Sequence, residues 1–119
     1  AATKTVVHAP RQTYLQGPDF AVPLDQGVER LFAPEVFQLL QAQKCILLDV
    51  RDADRDVGFI EGSNHEPTSF QNPLLKRVPE LVEKYRQEKL VIFHCQYSLH
   101  RGPQCANWYR ARADAKQHP

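Results

Sequence analysis

Two short apolar runs constrain this chain more than anything else in it: CILLDV at residues 45–50 and LVIFH at residues 90–94. Each has the length and composition of a strand buried on both faces of a parallel sheet. Each leads into a polar stretch, and a helical pattern follows. The resulting order of helix, strand, loop, helix, strand, loop, helix argues an α/β fold, because neighbouring parallel strands need a crossover and a helix is the usual one.

The helical patterns carry their own start signals. In APEVFQLLQAQ, Pro34 sits where a first helical residue would, Glu35 falls in the first turn, and Val36, Phe37, Leu39 and Leu40 make an apolar stripe. LLKRVPELVEKYRQEK has Leu74, Leu75, Val78, Leu81, Val82 and Tyr85 at helical spacing. Pro79 conflicts with one continuous helix and splits the segment into a turn and a helix starting there. The last helix opens at Pro103 after Gly102 and runs to about Lys116. Residues 51–73, with Gly58, Gly62, Pro67 and Pro73, read as a long loop.

Two central strands are few for a sheet. Arg30 to Phe32 is expected as an edge strand, and the N-terminal arm is the other source of one. Residues 1–29 hold Pro10, Pro18, Pro23, Gly17 and Gly27 and keep no period for long, so they read as an irregular extension to a domain over 30–119.

The composition narrows the functional classes. The chain has 119 residues, 42% of them hydrophobic and 24% charged, with a formal net charge of +1. That suits one domain with a real core and argues against disorder. It also lacks the basic excess of a dedicated nucleic-acid binder. No apolar run is long enough to span a bilayer, and no charged-then-apolar N-terminal segment resembles a signal peptide. The three cysteines, Cys45, Cys95 and Cys105, are too few and too odd in number for a disulfide framework. They form no Cys-x-x-Cys pair, so no metal is expected. The expected setting is reducing, in the cytoplasm or nucleus.

One thiol has an unusual neighbourhood. In HCQYSLHRGP, Cys95 directly follows a buried strand, five residues intervene, Arg101 follows, and Gly-Pro opens a helix. Ligands in open α/β sheets bind at this carboxyl end of the strands. A loop curled round one centre can turn the amides of Gln96, Tyr97, Ser98, Leu99, His100 and Arg101 inward as an anion nest. The helix N-terminus adds positive potential, and the Arg101 guanidinium is a planar fork for two oxygens of a tetrahedral oxyanion. The same groups stabilise a Cys95 thiolate and aim it at a bound anion.

HCQYSLHRGPQCANWYRARAD resembles the active-site segment of the rhodanese-like phosphatases that activate cyclin-dependent kinases, and is equally similar to the arsenate reductases built on the same fold. LLDVRDADRDVGFIEGS resembles the upstream signature that these families share with rhodaneses. The resemblance covers about residues 30–115 and implies a rhodanese-like parallel sheet flanked by helices. By resemblance, Cys95 is the nucleophile and Arg101 the oxyanion clamp. Gln96 to His100 are the backbone donors, with His94 and Asp49 as supporting residues. The loop of seven residues from Cys95 to Arg101 favours a tetrahedral oxyanion over the sulfur handled by the shorter loops of sulfurtransferases. The implied substrates are phosphate, arsenate or a phosphorylated partner. No cofactor is implied for a phosphatase; glutathione or glutaredoxin is the implied reductant for an arsenate reductase.

Three features depart from the family pattern. Val50 stands where the kinase-activating phosphatases have a cysteine able to trap the catalytic thiol. Gln96 and His100 stand where they tend to carry glutamates. The family usually continues past the active-site helix with another strand and a last helix, which this chain lacks before it stops at Pro119. Either the chain is cut short there or another segment fills that place in the sheet.

Other residues have plainer readings. Asp49 ends its strand beside Arg51 and braces the neighbouring loop. Asp52, Asp54 and Asp56 alternate, but Val57 and Ser63 stand where a calcium loop needs glycine and glutamate. They read as a solvated loop, although one of them, or Glu66, is a candidate general acid. Cys105 is better a small buried residue than a resolving thiol, and Cys45 reads as inert. The rival functions are a non-catalytic rhodanese-like module that binds phosphorylated partners, and a sulfurtransferase.

Overall fold

The structure, a computed structural model, describes residues 4–9, 22–95 and 100–117. Among them run β1 (Lys4–Ala9), β2 (Val28–Phe32), α1 (Ala33–Gln41), β3 (Ile46–Asp49), β4 (Asn64–His65), α2 (Val78–Lys84), β5 (Leu90–His94) and α3 (Arg101–Gln117). The strands form one sheet in the order β2-β1-β5-β3-β4, and every pair is parallel.

Side chains alternate across a strand, so each central strand feeds two cores. Val7, Leu48, Val91 and Phe93 point into the larger core with Leu81, Tyr85, Cys105 and Tyr109 from α2 and α3. Their neighbours Val6, Leu47 and Ile92 point the other way, onto Val36 of α1. Phe93 and Tyr109 are almost fully buried and their rings meet at 5.4 Å, tilted by 60°. Burial of each such side chain stabilises the fold by about 1.5–3 kcal/mol. This double burial is what the two apolar runs require.

Helix starts follow the sequence signals. Pro34 lies in the first turn of α1. Pro79 lies in the first turn of α2, and the segment before it, Leu74–Arg77, is a separate 3-10 turn. Leu74 is fully buried there, and its N–H donates to Thr68 Oγ1 at 2.9 Å. The expected edge strand is present as β2, which hands directly to α1.

Two expectations need correction. The irregular reading of residues 1–29 fails at Lys4–Ala9, which form β1 between β2 and β5 in the interior of the sheet. Val6 and Val7 are fully buried there, one in each core. Pro10 ends this apolar run so early that no period shows. The place beside β5, opposite β3, is thus filled from the N-terminal side of the chain. The long loop over 51–73 also contains structure: a 3-10 turn at Ala53–Val57 and the strand β4. β4 is two residues long and exists through its pairing with Leu48 and Asp49, a non-local cause that leaves no local pattern.

Candidate active site

Cys95 follows β5 immediately and is buried at the carboxyl end of the sheet. Its Sγ accepts a hydrogen bond from the Gly102 N–H at 3.2 Å. Gly102 is in the first turn of α3, whose amides have no intrahelical partner, and the helix dipole is positive at that end. A Cβ on Gly102 would lie 3.4 Å from Sγ and 3.6 Å from Val7 Cγ1, so the helix start rests directly on the thiol and on β1. The backbone carbonyl of His100 closes this first turn by accepting from Gln104 N–H at 2.9 Å. Gln96, Tyr97, Ser98 and Leu99 lie outside the described residues.

Arg101 begins α3, so the same helix that touches the thiol also carries the guanidinium. Its fork is engaged end-on by Asp54: Nη1 donates to Oδ1 at 3.0 Å and Nη2 to Oδ2 at 2.7 Å. Both side chains stay about one-third exposed. The Asp54 hydrogen bonds push Arg101 further up, with burial opposing and the charges of Asp54, Cys95 and Asp49 adding. In return, those hydrogen bonds hold the Asp54 carboxyl below the usual carboxylate range, against a smaller opposing effect of burial. Asp54 is carried by the 3-10 turn after β3, and its Oδ1 also accepts from Asp52 N–H at 3.0 Å.

Asp49 holds that turn in place. Its carboxylate is fully buried and accepts from the Arg51 N–H, from Arg51 Nε and Nη2, and from Arg55 Nε, all between 2.8 and 3.3 Å. Burial alone would raise this carboxyl; the Arg51 hydrogen bonds and charge, with His94 adding, bring it below its ordinary value. Arg51 also donates to the Gly58 carbonyl at 2.8 Å, so it ties the strand end to the far end of the 3-10 turn. His94 is buried in register with Asp49, and its carbonyl accepts from Val50 N–H at 2.9 Å. Val50 is fully buried in the same core as Cys95 and Cys105.

Glu66 is not a free acid. It is buried and accepts from Arg77, Lys84 and Tyr85 Oη. Burial would raise it, but the hydrogen bonds from Lys84 and Tyr85 and the positive charge of Lys84 keep it below its usual range. Cys105 is fully buried, and burial pushes its thiol up to about 12, which suits a packing role. Cys45 is half-buried and is also pushed up, by burial and then by the Glu88 charge. It lines a cavity of about 490 Å³ beside α1 that includes neither Cys95 nor Arg101.

Two residues were not singled out by sequence reasoning. Asp54 was one of three alternating acids with nothing to single it out; the available signal was that a partly buried Arg101 needs an anionic neighbour from the loop at the same sheet edge. Arg30 is the second. It lies on β2 and pairs in register with Val7, the residue that also meets Gly102. Burial lowers its guanidinium and the charge of Cys95 opposes that, so a second arginine contributes to the field at the thiol. A cavity of about 390 Å³ opens beside Arg101, lined by Thr68, Phe70, Pro73, Gln104 and Trp108 among others.

Three curated proteins are similar to this chain. Arsenate reductase 2.2 of Oryza sativa subsp. japonica is 32% identical over 85 residues, which cover 71% of this chain and 63% of that protein. Dual specificity phosphatase Cdc25 of Arabidopsis thaliana is 29% identical over 83 residues, 68% of this chain and 54% of that protein. Arsenate reductase 2.1 of Oryza sativa subsp. japonica is 35% identical over 63 residues, 53% of this chain and 38% of that protein. The chain thus spans less than two thirds of the length of each. No solved structure matches significantly. The family model for the rhodanese-like domain matches residues 32–117, a stretch that takes in the Asp49 strand, the Cys95 strand and the helix of Arg101. The chain belongs to the rhodanese-like domain family.

Proposed function

We propose that this chain is a cysteine-dependent enzyme acting on a tetrahedral oxyanion, either as a phosphoester phosphatase or as an arsenate reductase. The observation that supports this most is the Gly102 N–H donating to Cys95 Sγ at 3.2 Å, with Arg101 as the adjoining residue of the same helix start. A helix N-terminus at the sulfur and a guanidinium whose charge reaches it favour an oxyanion held over the thiol. The names of the similar proteins, two arsenate reductases and a dual specificity phosphatase, support the same two chemistries.

The two reactions share a first half. Cys95 Sγ attacks phosphorus or arsenic in line, the bond to the opposite oxygen breaks, and Arg101 holds the equatorial oxygens as charge redistributes. In hydrolysis, water then displaces Sγ from phosphorus and frees phosphate and the thiolate. In reduction, a second thiol attacks Sγ; the sulfur–arsenic electron pair stays on arsenic, arsenite departs, and a further thiol reduces the mixed disulfide. Glutathione or a glutaredoxin would supply those thiols. The cavity beside Arg101, with Phe70 and Trp108 in its lining, favours a substrate with an apolar part and so adds weight to the phosphoester reading.

Side-by-side assays of p-nitrophenyl phosphate hydrolysis and thiol-dependent arsenate reduction separate the two. Cys95→Ser should lower whichever activity is found by about 10³-fold or more. Full activity in that variant rejects Cys95 as the nucleophile. Thiosulfate-to-cyanide transfer in place of both would assign the sulfurtransferase branch instead. Absence of all three, with a phosphorylated peptide still bound, would assign a binding module.

A further inference from the structure

The reaction proposed above needs a proton for the oxygen that leaves the phosphorus or arsenic. Five carboxylates are near enough in sequence to be considered, and their surroundings sort them. Asp49 is fully buried, with two arginines and a backbone N–H already on its oxygens. Glu66 is saturated by Arg77, Lys84 and Tyr85. Asp52 and Asp56 show no bond to either Cys95 or Arg101. Asp54 alone among the described carboxylates occupies the fork of Arg101 with both oxygens.

That contact has a consequence for binding. An oxyanion that uses the Nη1 and Nη2 donors of Arg101 must take them from Asp54, because a fork holds one bidentate partner. Resting on the reading of Cys95 as the nucleophile and Arg101 as the clamp, we propose that Asp54 yields Arg101 to the incoming oxyanion, takes up a proton as it does so, and then protonates the departing oxygen. Two changes drive the uptake in the same direction. The carboxylate loses the hydrogen bonds that favoured its charged form, and it gains a like charge beside it. The guest therefore prepares its own acid.

The step balances. The Sγ lone pair forms the bond to phosphorus or arsenic, and the bond to the leaving oxygen breaks with its electron pair on oxygen. That oxygen takes the Asp54 proton and departs as an alcohol, or as water in the case of arsenate. Asp54 is left as a carboxylate, able to take a proton from the water that attacks the phosphocysteine.

Other charged or ionisable groups lie nearby and must be separated from Asp54. On its own segment these are Asp52, Asp56, Arg51 and Arg55, with Asp49 at the strand end. From α3 and its lead-in come Arg101 and His100, and from the end of β5 come His94 and Cys95. All are unchanged in Asp54→Asn, so the difference between that variant and the parent isolates one carboxyl.

Sulfate is the probe, because it stays a dianion near neutrality and cannot be turned over. Sodium sulfate is titrated calorimetrically into the full chain and into Asp54→Asn at pH 5, in two buffers of different ionisation heat. The parent should take up about one proton more per sulfate than the variant. At pH 7 the variant, freed of its internal competitor, should bind sulfate about 10-fold more tightly. In turnover, Asp54→Asn should lose about 10²-fold on phenyl phosphate, whose leaving group needs a proton, and under about 3-fold on p-nitrophenyl phosphate; Asp54→Glu should recover part of the loss. Equal proton uptake by the two proteins, or equal losses on the two esters, overturns the role of Asp54 while leaving the anion site standing. Failure of sulfate to bind either protein, together with undiminished activity in Cys95→Ser, overturns the underlying reading and this inference with it.

Discussion

Asp49 ends β3 and Asp54 sits in the turn just after it, each gripped by arginine, and they differ mainly in their access to water. Asp49 is fully buried, and the side chains of its partners Arg51 and Arg55 are only 10% and 17% exposed. Asp54 and Arg101 are 31% and 33% exposed at the rim beside the thiol. A buried pair cannot be exchanged for an outside ligand, because removing one member strands the other in low dielectric. A rim pair is exchangeable, since water or an anion can replace either partner at little cost. The first pair fixes the shape of the loop, and the second leaves a guanidinium that a substrate can claim. The same two residue types thus make one fixed pair and one exchangeable pair at the same end of the sheet.

Asp49→Ala tests the buried side of this contrast and should have the largest effect on stability. It leaves Arg51 and Arg55 without their shared carboxylate, and the expected loss is about 3–5 kcal/mol. For a domain of this size that lowers Tm by roughly 10–20 °C, readable by circular dichroism. A Tm within a few degrees of the parent would show that the loop does not depend on this carboxylate.

Acid tolerance sharpens the comparison next. Asp49 and Glu66 both have folded-state carboxyls held below their ordinary values. A depressed carboxyl contributes stability that is complete above the unfolded value, near ~4, and is lost as pH falls through the folded value. Glu66→Gln should therefore cost about 1–2 kcal/mol at pH 7, after discounting the exposed ends of Arg77 and Lys84. The gap between parent and variant should narrow below pH ~4. Urea unfolding across pH 2–7 measures it, and a gap that widens on acidification would contradict the sign.

Much of this fold was legible because its causes are local. The runs at 45–50 and 90–94 are buried on both faces, and Pro34, Pro79 and Pro103 each lie in the first turn of a helix. The N-terminal arm was expected as a source of a further strand, and β1 is that strand, but its place in the middle of the sheet was not legible, since that comes from pairing with β2 and with β5, far away in sequence. β4 was hidden for the same reason. At the candidate site, the spacing of Cys95 and Arg101 could be read directly, and the helix start under which the sulfur lies followed from Gly102 and Pro103. The partner of Arg101 could not. Asp52, Asp54 and Asp56 look alike in sequence, and only the turn at Ala53–Val57 brings one of them to the fork.

The rim pair should have the smallest effect on the fold. Asp54→Asn keeps the size of the side chain and an oxygen for one Arg101 N–H, and it removes a charge that is partly solvated already. Exposed pairs of this kind contribute about 0–1 kcal/mol, and ordering the two side chains offsets part of that. The expected change in stability is within about 0.5 kcal/mol at pH 7. Because Asp54 is also held below the usual range, its small contribution is present above pH ~4 and disappears on acidification, so parent and variant should converge there. Added salt should erase the difference at neutral pH as well, since a rim pair is screened and a buried one is not. Denaturant curves for parent, Asp54→Asn and Asp49→Ala at 0.05 and 0.5 M sodium chloride put both pairs on one scale. A salt-insensitive loss of 2 kcal/mol or more in Asp54→Asn would mean that Arg101 is locked to this carboxylate in the folded protein and is not available to an anion.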